Sequence, residues 1–302
     1  MAASIPFLES GKPSYGIVTD ESALVRKIMA PNPGPYTYWG TGTFIVGRGQ
    51  VAVIDPGPQV PEHVAAIEAV VRGEEVSHIL VTHTHLDHSP AAGPLAERTG
   101  APIFAFGPHG SGRTAGLDGQ EVEAGADRAF EPDQRLAHGA RIKGPGWTLE
   151  VLHTPGHTSN HLCFALLEEN TLFSGDHIMG WSTTVISPPD GDMELYLQSL
   201  EAIRARGFDV IRPTHGPAID AVQSYLSALI DHRFDREAEI LAALGKGIQT
   251  VDDITAAVYT GLASELFPAA MRTVLAHLIW LVDKGVVSAH PEPSLKARFW
   301  RY

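Results

Sequence analysis

The chain has 302 residues, 44% of them hydrophobic and 19% charged. That is ordinary globular composition, enough for one large domain and one small one, so neither a metal nor a disulfide is needed merely to fold. The 35 Asp+Glu against 22 Lys+Arg give a formal charge of −13, which argues against a general nucleic-acid coat or a basic membrane-surface protein. Cys163 is the single cysteine; it excludes a disulfide-built scaffold and fits a reducing cytoplasm. The opening MAASIPFLESGKPSYG lacks a basic stretch followed by an apolar core, so no signal peptide is expected. No apolar run is read as approaching the ~20 residues of a spanning helix, so no membrane partner is expected.

In chain order, TFIVGRGQVAVID (43–55) predicts two short strands around a glycine turn. A helix follows in PGPQVPEHVAAIEAVVRG, a buried strand at 78–81, a short helix over 89–98 and a strand at 103–106. This alternation predicts an α/β architecture. Residues 107–146, rich in Gly, Ala, Asp and Pro without a clear period, read as long loops. Strands are predicted at 148–153, 161–167 and 171–175, a helix over 193–206 and a strand at 209–213. After Pro217 the pattern turns helical, with one or two helices over 218–244, then helices over 250–259 and 268–284. The terminal VVSAHP…KARFWRY completes the order of a winged helix. Residues 232–302 balance 8 Lys+Arg against 8 Asp+Glu, which leaves the whole of −13 on residues 1–231. The expected division is therefore 1–231 and 232–302.

His83, His85, Asp87 and His88 form HTHLDH directly after the strand HILVT. Alternate residues leaving a strand point the same way, so His83 and His85 can share one ion while the turn sends Asp87 and His88 toward another. Imidazole with carboxylate suits zinc, iron or manganese. A merely solvated polar loop would not concentrate three histidines and an aspartate at a strand end. His and Asp recur after other strands: HTPGHTSNH, FSGDH and RPTHGP. Gly and Pro in these loops allow close backbone approach to a common point.

The ordered set HxHxDH, TPGH, SGD and THG resembles the metallo-β-lactamase superfamily over roughly residues 40–220. The resemblance implies a four-layer αβ/βα sandwich with a dinuclear site at one edge of two packed sheets. It implies that His83, His85 and His157 bind one metal, that Asp87, His88 and His215 bind the second, and that Asp176 bridges them. Asp55 matches a position that orients a site histidine, and His161 is read as a substrate or supporting contact. His153 and His177 are expected to be packed or solvent-facing, and Cys163 to pack as a small apolar residue. Two divalent ions, zinc foremost with manganese or iron as alternatives, would supply a metal-bound hydroxide near neutral pH. Asp87 would orient it or receive its proton.

Asp176 stands where antibiotic-hydrolysing members usually carry Cys, and His88 follows the motif Asp, so an antibiotic-resistance role is not expected. The loop GDHIMGWSTTVISPPDGD, with Thr183 and Thr184 as candidate substrate or supporting contacts, and the tail from HRFDREAEIL resemble the lactamase-beta-2-like branch with its winged helix. Members of that branch include single-strand endoribonucleases and thioester-cleaving enzymes. The charge of −13 favours an ester, thioester or lactone small molecule over a polyanion. Lys296, Arg298, Phe299, Trp300, Arg301 and Tyr302 pull toward single-stranded RNA, or serve only to dock the tail or to form a homodimer. A mono-iron persulfide dioxygenase and a non-catalytic DNA-binding regulator are weaker alternatives; the intact ligand set counts against the latter. Pocket walls are expected from residues 31–41, 107–146 and 180–192.

Overall fold

The computed structural model describes residues 5–113 and 125–302. Seven strands make the first sheet in sequence order: β1 (Val18–Asp20), β2 (Val25–Met29), β3 (Gly42–Arg48), β4 (Gln50–Ile54), β5 (Glu75–Leu80), β6 (Ile103–Ala105) and β7 (Gln134–Arg135). The first four are antiparallel, and β4 to β7 are parallel. The helices α1 (Pro61–Val70) and α2 (Ala92–Thr99) fill two of the parallel crossovers. The second sheet runs β12-β11-β10-β9-β8, from β8 (Arg141–Gly144), β9 (Trp147–His153), β10 (Leu162–Leu166), β11 (Thr171–Gly175) and β12 (Val210–Pro213). The helix α3 (Met193–Arg206) joins its parallel pair β11 and β12.

Strand alternation builds the layers. Phe44, Val46, Ala52 and Ile54 face inward and meet Leu149, Val151, Phe164 and Phe173 of the second sheet. Ile45, Val51 and Val53 face outward onto Ile67 and Leu95 of α1 and α2. On the other side Cys163, Ala165 and Leu172 meet Tyr196, Leu200 and Ile203 of α3 and Leu226 and Leu229 of α4 (Val222–Gly245). The result is the four-layer sandwich. Cys163 is fully buried and its thiol is pushed up to about 12 by burial, so it packs as expected and is unreactive.

The C-terminal part adds α5 (Val251–Val258), α6 (Phe267–Asp283) and the ribbon β13 (Val287–His290) with β14 (Arg298–Arg301). Ile240, Leu244, Ile254, Leu278, Leu281 and Phe299 form its separate core. The expected division at residue 231 falls inside one continuous helix, α4. The front of α4 packs on the sandwich through Leu226, Leu229 and Ile230, and its rear on the winged-helix core through Ile240 and Leu244.

Four sequence expectations need correction. The first 40 residues supply β1 and β2, whose short patterns escaped notice. Residues 107–146 are not all loop, since β7 and β8 lie there; residues 114–124 fall outside the described set. Trp147 rather than residue 148 opens β9. The 20-residue segment Ser264–Asp283 does reach the length and apolarity of a spanning helix, with a mean hydropathy of 1.3 over an 18-residue window. Its apolar residues are spent on two cores: Leu278 and Leu281 on the winged helix, Ala276 and Trp280 on the sandwich.

Candidate metal centre

All seven candidate ligands converge where β5, β11 and β12 end. Their donor atoms fall into three overlapping groups, each within 4.8 Å: His83, His85 and His157; His83, His88 and Asp176; Asp87, His88 and His215. In the first group His85 Nδ1 lies 2.9 Å from His83 Nε2 and 3.2 Å from His157 Nε2. In the second half His215 Nε2 lies 3.1 Å from Asp87 Oδ2. Asp176 stands between the halves. Its Oδ1 is 3.5 Å from His88 Nε2 and 3.4 Å from His215 Nε2, and its Oδ2 is 3.9 Å from His157 Nε2.

These residues fit a cation. His88 Nε2, His215 Nε2 and Asp176 Oδ1 are buried and make no hydrogen bond among the described residues. Buried polar atoms left so are costly, and converging lone pairs are relieved by a positive ion. The far nitrogens of His83, His88, His157 and His215 are anchored, which turns the near ones inward. His157 Nδ1 donates to Val185 O at 2.7 Å, and His215 Nδ1 to Gly40 O at 3.1 Å. His83 Nδ1 donates to Thr82 Oγ1 at 3.1 Å.

Asp55 anchors the rest. It follows β4 in a left-handed conformation, φ 50°, and is fully buried. Such a backbone in a non-glycine residue marks a position held by its surroundings. Its Oδ1 accepts the Thr82 N–H at 2.8 Å. Its Oδ2 accepts from Thr82 Oγ1, Thr214 Oγ1 and His88 Nδ1 at 2.8, 2.9 and 2.9 Å. One carboxylate thus ties together the loops bearing His83, His88 and His215, the orienting role read from the sequence. Thr82 and Thr214 were not singled out, though each directly precedes a ligand histidine.

The local field favours positive charge. Burial pushes the Asp87 and Asp176 carboxyls up, but His88 and His215 outweigh it; Asp176 ends at about 2 and Asp87 well below the carboxylate range. Burial opposes charge on His88 and His215, yet the same carboxylates raise both above the ordinary imidazole value.

Of the two places expected for His161 and Thr184, substrate contact or support, the geometry gives both the supporting one. His161 does not face the cleft as a substrate contact. It is fully buried, stacked at 5.0 Å on His83. Its Nδ1 meets Thr154 Oγ1 at 3.0 Å, and its Nε2 accepts the Asp176 N–H at 3.3 Å. Thr183 lines the cleft, but the Thr184 hydroxyl turns inward and donates to Asp176 O and His177 O at 2.8 and 3.0 Å. His153 stacks on Phe106 at 4.1 Å, and His177 is fully buried beside Tyr196.

The loop holding His157 is braced from the C-terminal part. Arg233 of α4, itself buried, donates to Thr184 O, 2.6 Å from Nη2. The Ile186 N–H donates to Thr273 Oγ1 of α6 at 3.3 Å. Between them lies Val185, whose carbonyl accepts from His157. The cluster opens into a cavity of about 600 Å³. Its walls include Tyr36, Gly125 and Trp181 to Val185, as expected, but also Tyr259, Leu262, Leu266, Pro268 and Arg272. The winged helix as a wall of the cavity is a feature that sequence reasoning missed.

Residues 40–215 match the family described as the metallo-beta-lactamase superfamily, and residues 250–296 the beta-lactamase-associated winged helix domain. The chain belongs to the metallo-β-lactamase superfamily. A beta-lactamase-like protein 2 homolog of Drosophila melanogaster is 34% identical over 283 residues, 89% of this chain and 91% of its own. Its Caenorhabditis elegans counterpart is 32% identical over 275 residues, 88% and 86% respectively. A beta-lactamase domain protein from Burkholderia ambifaria shares the fold, with a TM-score of 0.79 at 21% identity over 96% of this chain and 95% of that one. The metallo-β-lactamase sandwich and winged helix read from the sequence are therefore both present, and with them the superfamily's His/Asp metal cluster.

Proposed function

We propose that the chain is a dinuclear metal-dependent hydrolase acting on an ester, thioester or lactone. The observation that carries this reading is the cavity: the seven-residue cluster opens into a space whose walls are largely Tyr36, Leu86, Met179, Trp181, Leu262 and Leu266. A volume of about 600 Å³ suits a small organic molecule rather than a folded polymer.

His83, His85 and His157 would hold one ion, and Asp87, His88 and His215 the other, with one Asp176 oxygen toward each. Divalent ions held there, zinc foremost with manganese or iron as alternatives, would supply Lewis acidity toward an acyl oxygen and would lower the pKa of water toward neutral pH. Asp87 is the only one of the two cluster carboxylates appreciably open to the cavity, with a side chain 26% exposed against 10% for Asp176. Its depressed pKa keeps it ionised, so it orients the attacking water by accepting its proton in a hydrogen bond. Water adds across the acyl–oxygen or acyl–sulfur bond; its oxygen joins the acyl carbon and its proton leaves with the alcohol or thiol. No serine or cysteine nucleophile is required, and the one cysteine is buried on the far side of β10.

A second reading, cleavage of single-stranded RNA, is favoured by exposed Arg298, Trp300, Arg301 and Tyr302 on the ribbon. Metal-loaded protein offered acyl thioesters and end-labelled single-stranded RNA in parallel tests the two. Thioester turnover that disappears in Asp87→Ala and with chelator supports the acyl reading. RNA cleavage with the same dependence, and no thioester turnover, overturns it.

A further inference from the structure

The cavity holds a cation that the cluster does not use. Of its lining residues among those described, only Asp87, Asp176 and Arg272 are charged. The two carboxylates belong to the cluster and face His88 and His215. Arg272 lies on α6, in the opposite wall, and no hydrogen bond or ion pair joins it to another described residue. Around it the lining is Leu266, Pro268, Ala269 and Ala270. An unpaired guanidinium in an apolar, partly enclosed wall forfeits solvation that a ligand can restore. Its planar fork matches an oxyanion with two or more oxygens, and such bonds strengthen away from bulk water.

Arg272 is also held in register with the reacting end. The next residue, Thr273, accepts the Ile186 N–H, and Val185, one residue earlier, fixes the His157 ring. The base of the Arg272 side chain is thus fixed relative to the cluster by packed structure, which confines its guanidinium to a bounded range of distances and favours substrates of matching length.

Resting on the acyl-hydrolase reading, we infer that the substrate is amphipathic: an apolar body, the scissile ester or thioester at the cluster, and a carboxylate or phosphate held by Arg272. Arg272 is a specificity-determining residue for this group.

The test compares 4-nitrophenyl octanoate with mono-4-nitrophenyl suberate and its terminal-phosphonate analogue on the metal-loaded full chain. These esters differ only in the group at the far end. The inference predicts kcat/KM about tenfold higher for an anionic ester than for the neutral one, carried mainly by KM. Suberate preferred over phosphonate identifies a carboxylate, and the reverse a phosphate. In Arg272→Gln the ratio of anionic to neutral falls to near one, and Arg272→Lys restores part of it. Lys143→Gln, exposed on β8 and outside the cavity, keeps the wild-type ratio. A parallel binding measurement needs no turnover: quenching of tryptophan fluorescence by suberamic acid against octanamide. There too the preference for the anion is expected in the parent chain and lost in Arg272→Gln. Hydrolysis of all esters without preference overturns the inference and leaves the acyl reading standing. Absence of hydrolysis, with the anion preference in binding retained, overturns the acyl reading and keeps Arg272 as an oxyanion site. Equal binding of acid and amide overturns the site itself.

Discussion

Asp55 shows how one side chain can set a metal site without touching the metal. Its two oxygens accept four hydrogen bonds from the loops that follow two different strands, β5 and β12. Asp55→Asn keeps the shape but replaces one acceptor oxygen by a donor, so His88, Thr82 and Thr214 cannot all be satisfied. Metal affinity is expected to fall about 10- to 100-fold, read by competition with a chromogenic chelator. Gly156 is a second such point. Its φ is 142°, and a Cβ would stand 2.4 Å from the Tyr196 Cα. Gly156→Ala is therefore expected to lose about 1–3 kcal/mol of unfolding free energy in urea melts and to displace His157. The loops that carry the seven candidate ligands were legible in the sequence because strand-end His and Asp clusters advertise themselves, but the choice of His157 over His153 and His161, and of Asp176 over His177, came through resemblance. Asp55 was legible only through resemblance. Thr82 and Thr214 were not, because a threonine beside a histidine carries no spacing signal.

At the scale of elements, the junction of α4 and α6 with the 184–186 loop is where the two parts of the chain meet chemically. Arg233 holds Thr184 O, and Thr273 holds the Ile186 N–H. Arg233→Met, which keeps the length but removes the donor, is expected to weaken metal binding about tenfold. Thr273→Val should act in the same direction and less strongly; both are measured by isothermal titration with zinc. A chain in which neither variant shifts metal affinity would show the brace to be irrelevant to the site. The long helix α3 was read with its bounds, and the strands around the site within a residue or two except β5, which starts three residues before the expected 78. The errors have physical causes. Strands of two to four residues, such as β7 and β8, are too short to show a period of two. The winged-helix wall of the cavity depends on how α4 carries one core past the other, which no local pattern encodes.

Across the whole molecule, buried neutral histidines outside the cluster govern the response to acid. Burial lowers His63 and His232 to about 4, His177 to about 3, and His277 well below its ordinary value. In the unfolded chain each titrates near the ordinary imidazole value of 6.5. Between that value and about 4 the unfolded state therefore binds more protons, and stability falls as pH drops through this window. The urea midpoint is expected to be flat above pH 7 and to decline steeply from 6.5 toward 4. Neither ring nitrogen of His277 has a partner among the described residues, so His277→Leu should reduce that decline. The same sandwich that buries these rings also gathers the seven ligands at one edge, and the account stands or falls on what they bind. The most direct test is zinc titration of the chelator-stripped full chain at neutral pH, with bound metal counted by elemental analysis. Two ions per chain, falling to one or none in Asp176→Ala, is the predicted result. A chain that retains no transition metal, or only one with Asp176→Ala indifferent, would contradict it.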